Sequence, residues 1–134
     1  MERVAIIGVS QTKYTQNNPL TFAELVYEVT TGALEDAGIT IKDIDNVVSV
    51  SSDFWDGRTI SSMAISDASG AFGKDITTVE GDGTFGALYG LMRTLSGSFN
   101  TTLVVAHHKG TESNMRAITN TAFDPLVERR LGLD

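Results

Sequence analysis

Two stretches of this chain have residue types and spacing suited to chemistry. The first is Gly81-Asp82-Gly83-Thr84-Phe85-Gly86, which follows the β-prone run Ile76-Thr77-Thr78-Val79-Glu80 and opens into Ala87-Leu88-Tyr89-Gly90-Leu91. A strand that ends in glycines and turns into a helix lets backbone approach backbone. It aims the N–H groups of the helix N-terminus at whatever lies above the sheet. The second is His107-His108-Lys109-Gly110, directly after Leu103-Val104-Val105-Ala106. A histidine at a strand end has the right pKa to move a proton near neutral pH, so His107 is one acid–base candidate. Asp82 is the other. At a helix N-terminus the macrodipole favours its ionised form, so it also reads as a capping carboxylate.

Familiar chemistries fit these stretches poorly. Gly81 to Gly86 spells G-x-G-x-x-G between a strand and a helix, the setting of a dinucleotide fingerprint. Asp82, however, would place a carboxylate where a pyrophosphate should lie. The next strand ends in His107-His108, with no acidic residue about 20 positions on to hold a ribose. A hydrolase elbow needs G-x-S-x-G, and Thr84 is the only hydroxyl in the turn. A metal site is not expected: the two histidines are adjacent, point to opposite sides of a strand, and lack H-x-x-x-H spacing.

The elements that must position these residues read clearly in places. Val4-Ala5-Ile6-Ile7-Gly8-Val9 is a continuous apolar run that suits a strand buried on both faces. Phe22, Leu25, Val26, Val29, Ala33, Leu34 and Ala37 share one helical face. Thr21 with Glu24 forms a capping box before them, and Gly38 stands where a helix-ending glycine belongs. A turn at Lys42-Asp43-Ile44 leads to a strand at Asn46-Val47-Val48-Ser49-Val50, completing a βαβ unit. The loop Asp53-Phe54-Trp55-Asp56-Gly57-Arg58 mixes aromatics with charges. It reads either as a tryptophan anchoring the loop to the core or as the lining of a site. A short helix over Thr59 to Ser69, a turn at Gly70 to Gly73, strand Ile76–Glu80, helix Thr84–Leu95 and strand Thr101–Ala106 follow. Gly86, Ala87 and Gly90 put three small residues on the early turns of that second long helix, although each glycine weakens it by about 1 kcal/mol relative to alanine. Their presence predicts very close packing, with the helix buried between layers. The order β-α-β-(α)-β-α-β predicts an α/β fold around a mostly parallel sheet of about four strands.

Composition narrows the function classes. The 134 residues suffice for one domain with a real core, and 41% are hydrophobic. A formal net charge of −7 without a basic cluster argues against nucleic acid and anionic membrane surfaces. The absence of cysteine removes disulfides, thiolate metal sites and thiol nucleophiles. Met1-Glu2-Arg3 runs straight into the first apolar segment without a signal-like region, and no run approaches the roughly 20 apolar residues of a membrane span. A cytoplasmic location is the expectation.

The ordered pieces resemble the opening of the thiolases. These begin with an apolar VAIVG strand, then a helix ending in AL-x-DAG, then a DID-x-V entry into the next strand. Here Arg3 to Val9, Ala33-Leu34-Glu35-Asp36-Ala37-Gly38 and Asp43-Ile44-Asp45 match those landmarks. Thr77-Thr78-Val79-Glu80 and the glycine corner are similar to the approach to the thiolase nucleophile elbow. Leu103 to Ala106, Lys109-Gly110 and Ser113 resemble the strand after it. Asp124-Pro125-Leu126-Val127-Glu128-Arg129 and Leu131-Gly132-Leu133 resemble a segment of sterol-carrier-protein-type thiolases. The resemblance therefore covers only the first part of a thiolase. It implies an incomplete α/β half-domain over residues 1–110 and the start of a loop-domain-like segment over residues 111–134.

One departure bears on chemistry. Thiolases that perform Claisen condensation carry a cysteine in a V-N-x-x-C-x-S-G pattern. Aligned on Val79 and Gly86, the cysteine slot is Gly83 and the serine slot is Phe85. No acyl-enzyme can form on a glycine. Thiolase-like acyl-CoA aldolases, which lack the cysteine and cleave carbon chains retro-aldolically, also resemble this chain. The resemblance thus implies acyl-CoA as a substrate, no covalently bound cofactor, and C–C bond chemistry by acyl transfer or retro-aldol cleavage. The pocket would be lined by Gly81, Thr84, Phe85, Gly86 and Arg58. Catalysis would need a C-terminal half or another chain, for which an OB-fold/zinc-ribbon protein is one form. A homodimer through the edge strand Ile76–Glu80 is also implied. The alternative is a non-catalytic thiolase-like subunit whose role is assembly.

Overall fold

The computed structural model describes residues 3–56 and 60–112. Helix α1 spans Phe22–Ala37. The Thr21 side chain accepts the Glu24 N–H at 3.3 Å, and the Glu24 carboxylate accepts the Thr21 N–H at 2.6 Å. This is the expected capping box. Gly38 ends the helix in the left-handed conformation at φ +67°, and its N–H reaches back to the last carbonyls. A single 3₁₀ turn, Ile41–Asp43, leads into strand β1, Asn46–Ser51. Short helices α2 (Asp53–Asp56) and α3 (Ser61–Ile65) follow, then β2 (Asp75–Glu80), α4 (Gly83–Leu95) and β3 (Thr102–Ala106).

The sheet is parallel throughout, in the order β2-β1-β3. Every residue of the central strand β1 is buried, and it accordingly carries no charged side chain, only valines and the small polar Asn46, Ser49 and Ser51. Alternation along β1 sends Val48 and Val50 to one face and Val47 and Ser49 to the other. On the first face lies α4, with Gly86 against Val50 and Val104, and Gly90 against Val104. On the second face Phe22 and Val26 of α1 and Ile65 of α3 close over Val47, Leu103 and Val105. That cluster is the core.

The polar groups of β1 are satisfied across the sheet. Asn46 donates from Nδ2 to Thr102 Oγ1 at 2.8 Å, and its Oδ1 accepts Arg93 Nε at 3.3 Å. Arg93 also pairs with Asp75 and stacks 4.2 Å above the Phe99 ring. One guanidinium thereby ties the last turn of α4 to the beginnings of β1 and β2.

The α/β class with a parallel sheet is the one the sequence predicts, and it is compatible with an incomplete thiolase-like half-domain. Among the described residues the sheet has three strands, where the sequence predicts about four. Val4 to Val9 adopts no strand, so the first βαβ unit does not close. Both edges of β1 are taken, by β2 and β3. The segment lies instead along α1. A Cβ built on Gly8 would stand 2.3 Å from Ala33 O, and the Val9 N–H donates to Asp36 Oδ2 at 2.9 Å. Helix α4 differs as well. Its glycine face is buried, but Phe85, Leu88, Leu91, Met92 and Leu95 are exposed, so a second layer does not cover it among the described residues.

Candidate functional site

The glycine corner begins where β2 ends. Gly81 has φ +134°, outside the range of ordinary side chains, and its N–H donates to Ser51 O at 3.0 Å. Asp82 is the N-cap of α4. Its Oδ1 accepts the N–H groups of Thr84 at 2.9 Å and Phe85 at 3.3 Å. Those are first-turn donors of the kind a helix N-terminus offers an anion. The chain supplies the anion itself. The Phe85 ring folds back over Gly81, with Cδ2 3.1 Å from where a Cβ would stand. Gly83, in the nucleophile slot implied by the thiolase resemblance, lies against Ala106 at 3.4 Å on the same reckoning.

The structure therefore gathers Gly81, Asp82, Gly83, Thr84 and Phe85 around one helix end. Gly86 turns away from it into the sheet, where a Cβ would meet Val50 Cγ2 at 2.1 Å. Arg58 falls outside the described residues.

His107 belongs to the other face. It follows β3, and its N–H donates to Val50 O at 3.0 Å, extending the ladder. Its Nε2 stands 3.0 Å from Ser49 Oγ, and its ring meets Phe22 edge-on with centroids 4.8 Å apart. Asp82 opens the helix on the Val50 face, whereas His107 faces α1. The two acid–base candidates are not brought to one place.

Beside Ser49 runs a second polar chain that the sequence reading did not assemble. Ser51 Oγ donates to Asp53 Oδ1 at 2.8 Å and lies 2.7 Å from Ser61 Oγ. The Ser61 N–H donates to Asp53 Oδ2 at 3.1 Å. Ser49, Ser51 and Ser61 are buried. The signal was present: Ser49 and Ser51, at i and i+2, share one face of an otherwise apolar strand, and buried hydroxyls demand partners. Only the fold shows that His107, Asp53 and Ser61 supply them. Together these residues fix an imidazole, a carboxylate and three hydroxyls at the C-terminal end of the parallel strands, the end where open α/β sheets bind ligands.

Burial pushes the Asp53 carboxyl up, but hydrogen bonds from Ser61 and Ser51 and the nearby charge of His107 outweigh it, so the group lies below its ordinary range. An aspartate with a depressed folded pKa stabilises the fold above its unfolded pKa, and that contribution is lost as pH falls through the folded value. Stability is thus expected to fall on acidification below about pH 4. In Asp53→Asn that part of the fall should be smaller. Urea midpoints of both proteins at neutral and acid pH measure it, and identical pH slopes would refute the assignment.

Among the described residues, no group of three His, Asp or Glu side chains is placed to hold a metal ion, and no helix is long and apolar enough to cross a membrane.

No family model matches the chain. A stretch of 45 residues is 44% identical to an acetyl-CoA acetyltransferase of Methanothermobacter thermautotrophicus. The match takes in 34% of this chain and 12% of that protein, so only a small part of the relative's length is represented. It supports a relation to the thiolases.

Proposed function

We propose that the chain is the N-terminal part of a thiolase-related assembly that acts on acyl-CoA thioesters. The C–C bond chemistry, acyl transfer or retro-aldol cleavage, is completed by a C-terminal half or by another chain. The similarity to an acetyl-CoA acetyltransferase carries this reading, and the parallel sheet with its glycine corner is compatible with it. With Gly83 in the nucleophile slot and the Thr84 and Phe85 N–H groups capped by Asp82, the corner contributes pocket shape rather than a covalent intermediate. His107, oriented by Ser49, is the proton-transfer candidate on this chain. Two surfaces suit a partner: the outer edge of β2, and the exposed apolar side of α4.

The purified chain is expected to show no acetoacetyl-CoA thiolysis, while acyl-CoA raises its melting temperature in a saturable way. Robust thiolysis by the chain alone would sink the proposal.

One observation favours a second reading, an assembly subunit without catalysis. The Asp82 carboxylate and the Phe85 ring already occupy the corner where a thioester would approach. On that reading acyl-CoA produces no thermal shift even in the native assembly, and the masses of co-purifying chains identify what the subunit organises.

A further inference from the structure

His107 and Asp53 hang from neighbouring hydroxyls on one face of the central strand. Ser49 Oγ stands 3.0 Å from His107 Nε2, and Ser51 Oγ donates to Asp53 Oδ1 at 2.8 Å. Two residues along a strand span about 7 Å, so an imidazole and a carboxylate are mounted side by side at one strand end. The carboxylate is fixed at both oxygens, since Oδ2 accepts the Ser61 N–H at 3.1 Å. Ser49, Ser51 and Ser61 are buried, so the two groups are joined through protein rather than through bulk water, and charge acts further there.

The other neighbours of the ring do not favour a charged imidazole. Phe22 meets it edge-on with centroids 4.8 Å apart, and an apolar neighbour costs an imidazolium hydration. The Ser49 hydroxyl serves both protonation states, because it can donate to a bare nitrogen or accept from an N–H. Among the described residues, the remaining charged and titratable groups around this strand end are engaged elsewhere. Lys109 pairs with Glu112 at 2.8 Å and donates to Leu20 O. Glu24 of α1 closes the capping box with Thr21, and Glu80 of β2 accepts the Ser52 hydroxyl at 2.7 Å. His108, next in the chain, lies against Gly110, with Nε2 3.0 Å from where a Cβ would stand. Strand β1 and helix α3 bring no charge. Asp53 is the fixed negative charge on the imidazole's own face of the sheet.

We propose that Asp53 is a positioning residue that keeps His107 in its protonated form, so that the strand-end imidazole is a proton donor rather than a base. This deepens, and rests on, the reading of His107 as the proton-transfer group of the chain. A carboxylate held nearby favours the imidazolium, and by reciprocity the imidazolium favours the ionised carboxylate. Asp53 shows the second half of that exchange. Burial pushes its carboxyl up, yet hydrogen bonds from Ser61 and Ser51, joined by the charge of His107, hold it below the ordinary range. A donor of this kind gives one proton to a carbonyl or enolate oxygen, is left as neutral imidazole, and is recharged from solvent.

Titration of the histidine rings by NMR on the full chain tests this. The chain has two histidines, so His108→Gln assigns the His107 signal. In Asp53→Asn the His107 midpoint is expected about one pH unit lower than in the parent protein, the order of effect a nearby charge exerts. Asp53→Glu restores the charge and should recover at least about half of that shift. Ser61→Ala removes a hydroxyl from the same joint but keeps the carboxylate, and should move the midpoint by less than about 0.3. If Asp53→Asn fails to fold, the parent protein carries the readout: the Asp53 carboxyl signal should show a second inflection at the His107 midpoint. An unchanged His107 midpoint in folded Asp53→Asn overturns the proposal. So does an equal shift in Ser61→Ala, which would mark loosening rather than charge, or an Asp53 signal in the parent that does not respond to His107. None of these readouts uses acyl-CoA, so an absent thermal shift with acyl-CoA counts against the proposed function alone.

Discussion

Replacing Gly86 with valine is expected to cost the protein most or all of its folded population. Even the first added carbon would stand 2.1 Å from Val50 Cγ2 and 3.1 Å from Val104 Cγ1. Val50 is 1% exposed on the central strand, hemmed in on both sides by its neighbours in the sheet, so it has nowhere to retreat. Either α4 lifts off the sheet or β1 distorts. Overpacking by a methylene or two costs roughly 1–3 kcal/mol, and domains of this size are stable by only about 5–15 kcal/mol. Alanine at the same position is a finer probe. It gains about 1 kcal/mol in helix propensity, which opposes the collision. A net loss in urea midpoint for Gly86→Ala shows that packing wins over propensity. Combining it with Val50→Ala, which removes the colliding methyl groups, should recover part of that loss as a coupling of about 0.5–3 kcal/mol. A Gly86→Val protein as stable as the parent would mean that α4 does not sit on the sheet as described.

The second large effect is expected at Ile65. Its side chain is completely buried, at 0% exposure, among Phe22, Val26 and Val47, and it is the apolar anchor of a five-residue helix. A helix that short has no stability of its own, because nucleation costs more than one turn of hydrogen bonds returns. Ile65→Ala should therefore cost about 2–5 kcal/mol, and Ile65→Val about 0.5–1.5 kcal/mol. The loss has a local signature. As α3 loosens, Ser61 should leave Ser51 and Asp53, so the Ser61 amide exchanges faster than the strand amides. A fall in global stability with Ser61 still protected would separate the helix from the polar chain it is taken to hold.

The chain is unevenly legible from its sequence, and the reasons are physical. Helix α1 was readable at both ends, because its capping box and terminal glycine are local devices that act within one turn. Strands β1, β2 and β3 were readable from β-branched runs bounded by turn residues. Val4 to Val9 has the same composition and is not a strand, since composition reports only what a segment can pair as, and both edges of β1, its expected partner, are taken by β2 and β3. The apolar outer side of α4 followed the same logic: Gly86 and Gly90 announced close packing, but not that one side only would be packed.

At the candidate site the split was between spacing and topology. Asp82 was recognisable as a helix cap from its place before Gly83 and Thr84. That His107 would sit against Ser49, 58 residues away in sequence, depends on β3 lying beside β1. The partnership of Asp53 with Ser61 required α3 to fold back over the strand end, which no local pattern encodes.

The glycine seam of α4 also sets the rotation of that helix. Gly86 and Gly90 are four residues apart, so they lie one above the other, and only one azimuth about the helix axis turns both toward Val50 and Val104. Fixing that azimuth fixes where every other side chain of α4 points. Phe85, Leu88 and Met92 face outward as a corollary of the seam, not by a separate arrangement of the surface. The two faces of α4 are thus keyed to one another: whatever docks on the outside meets a helix whose angular position was already decided by two missing side chains on the inside.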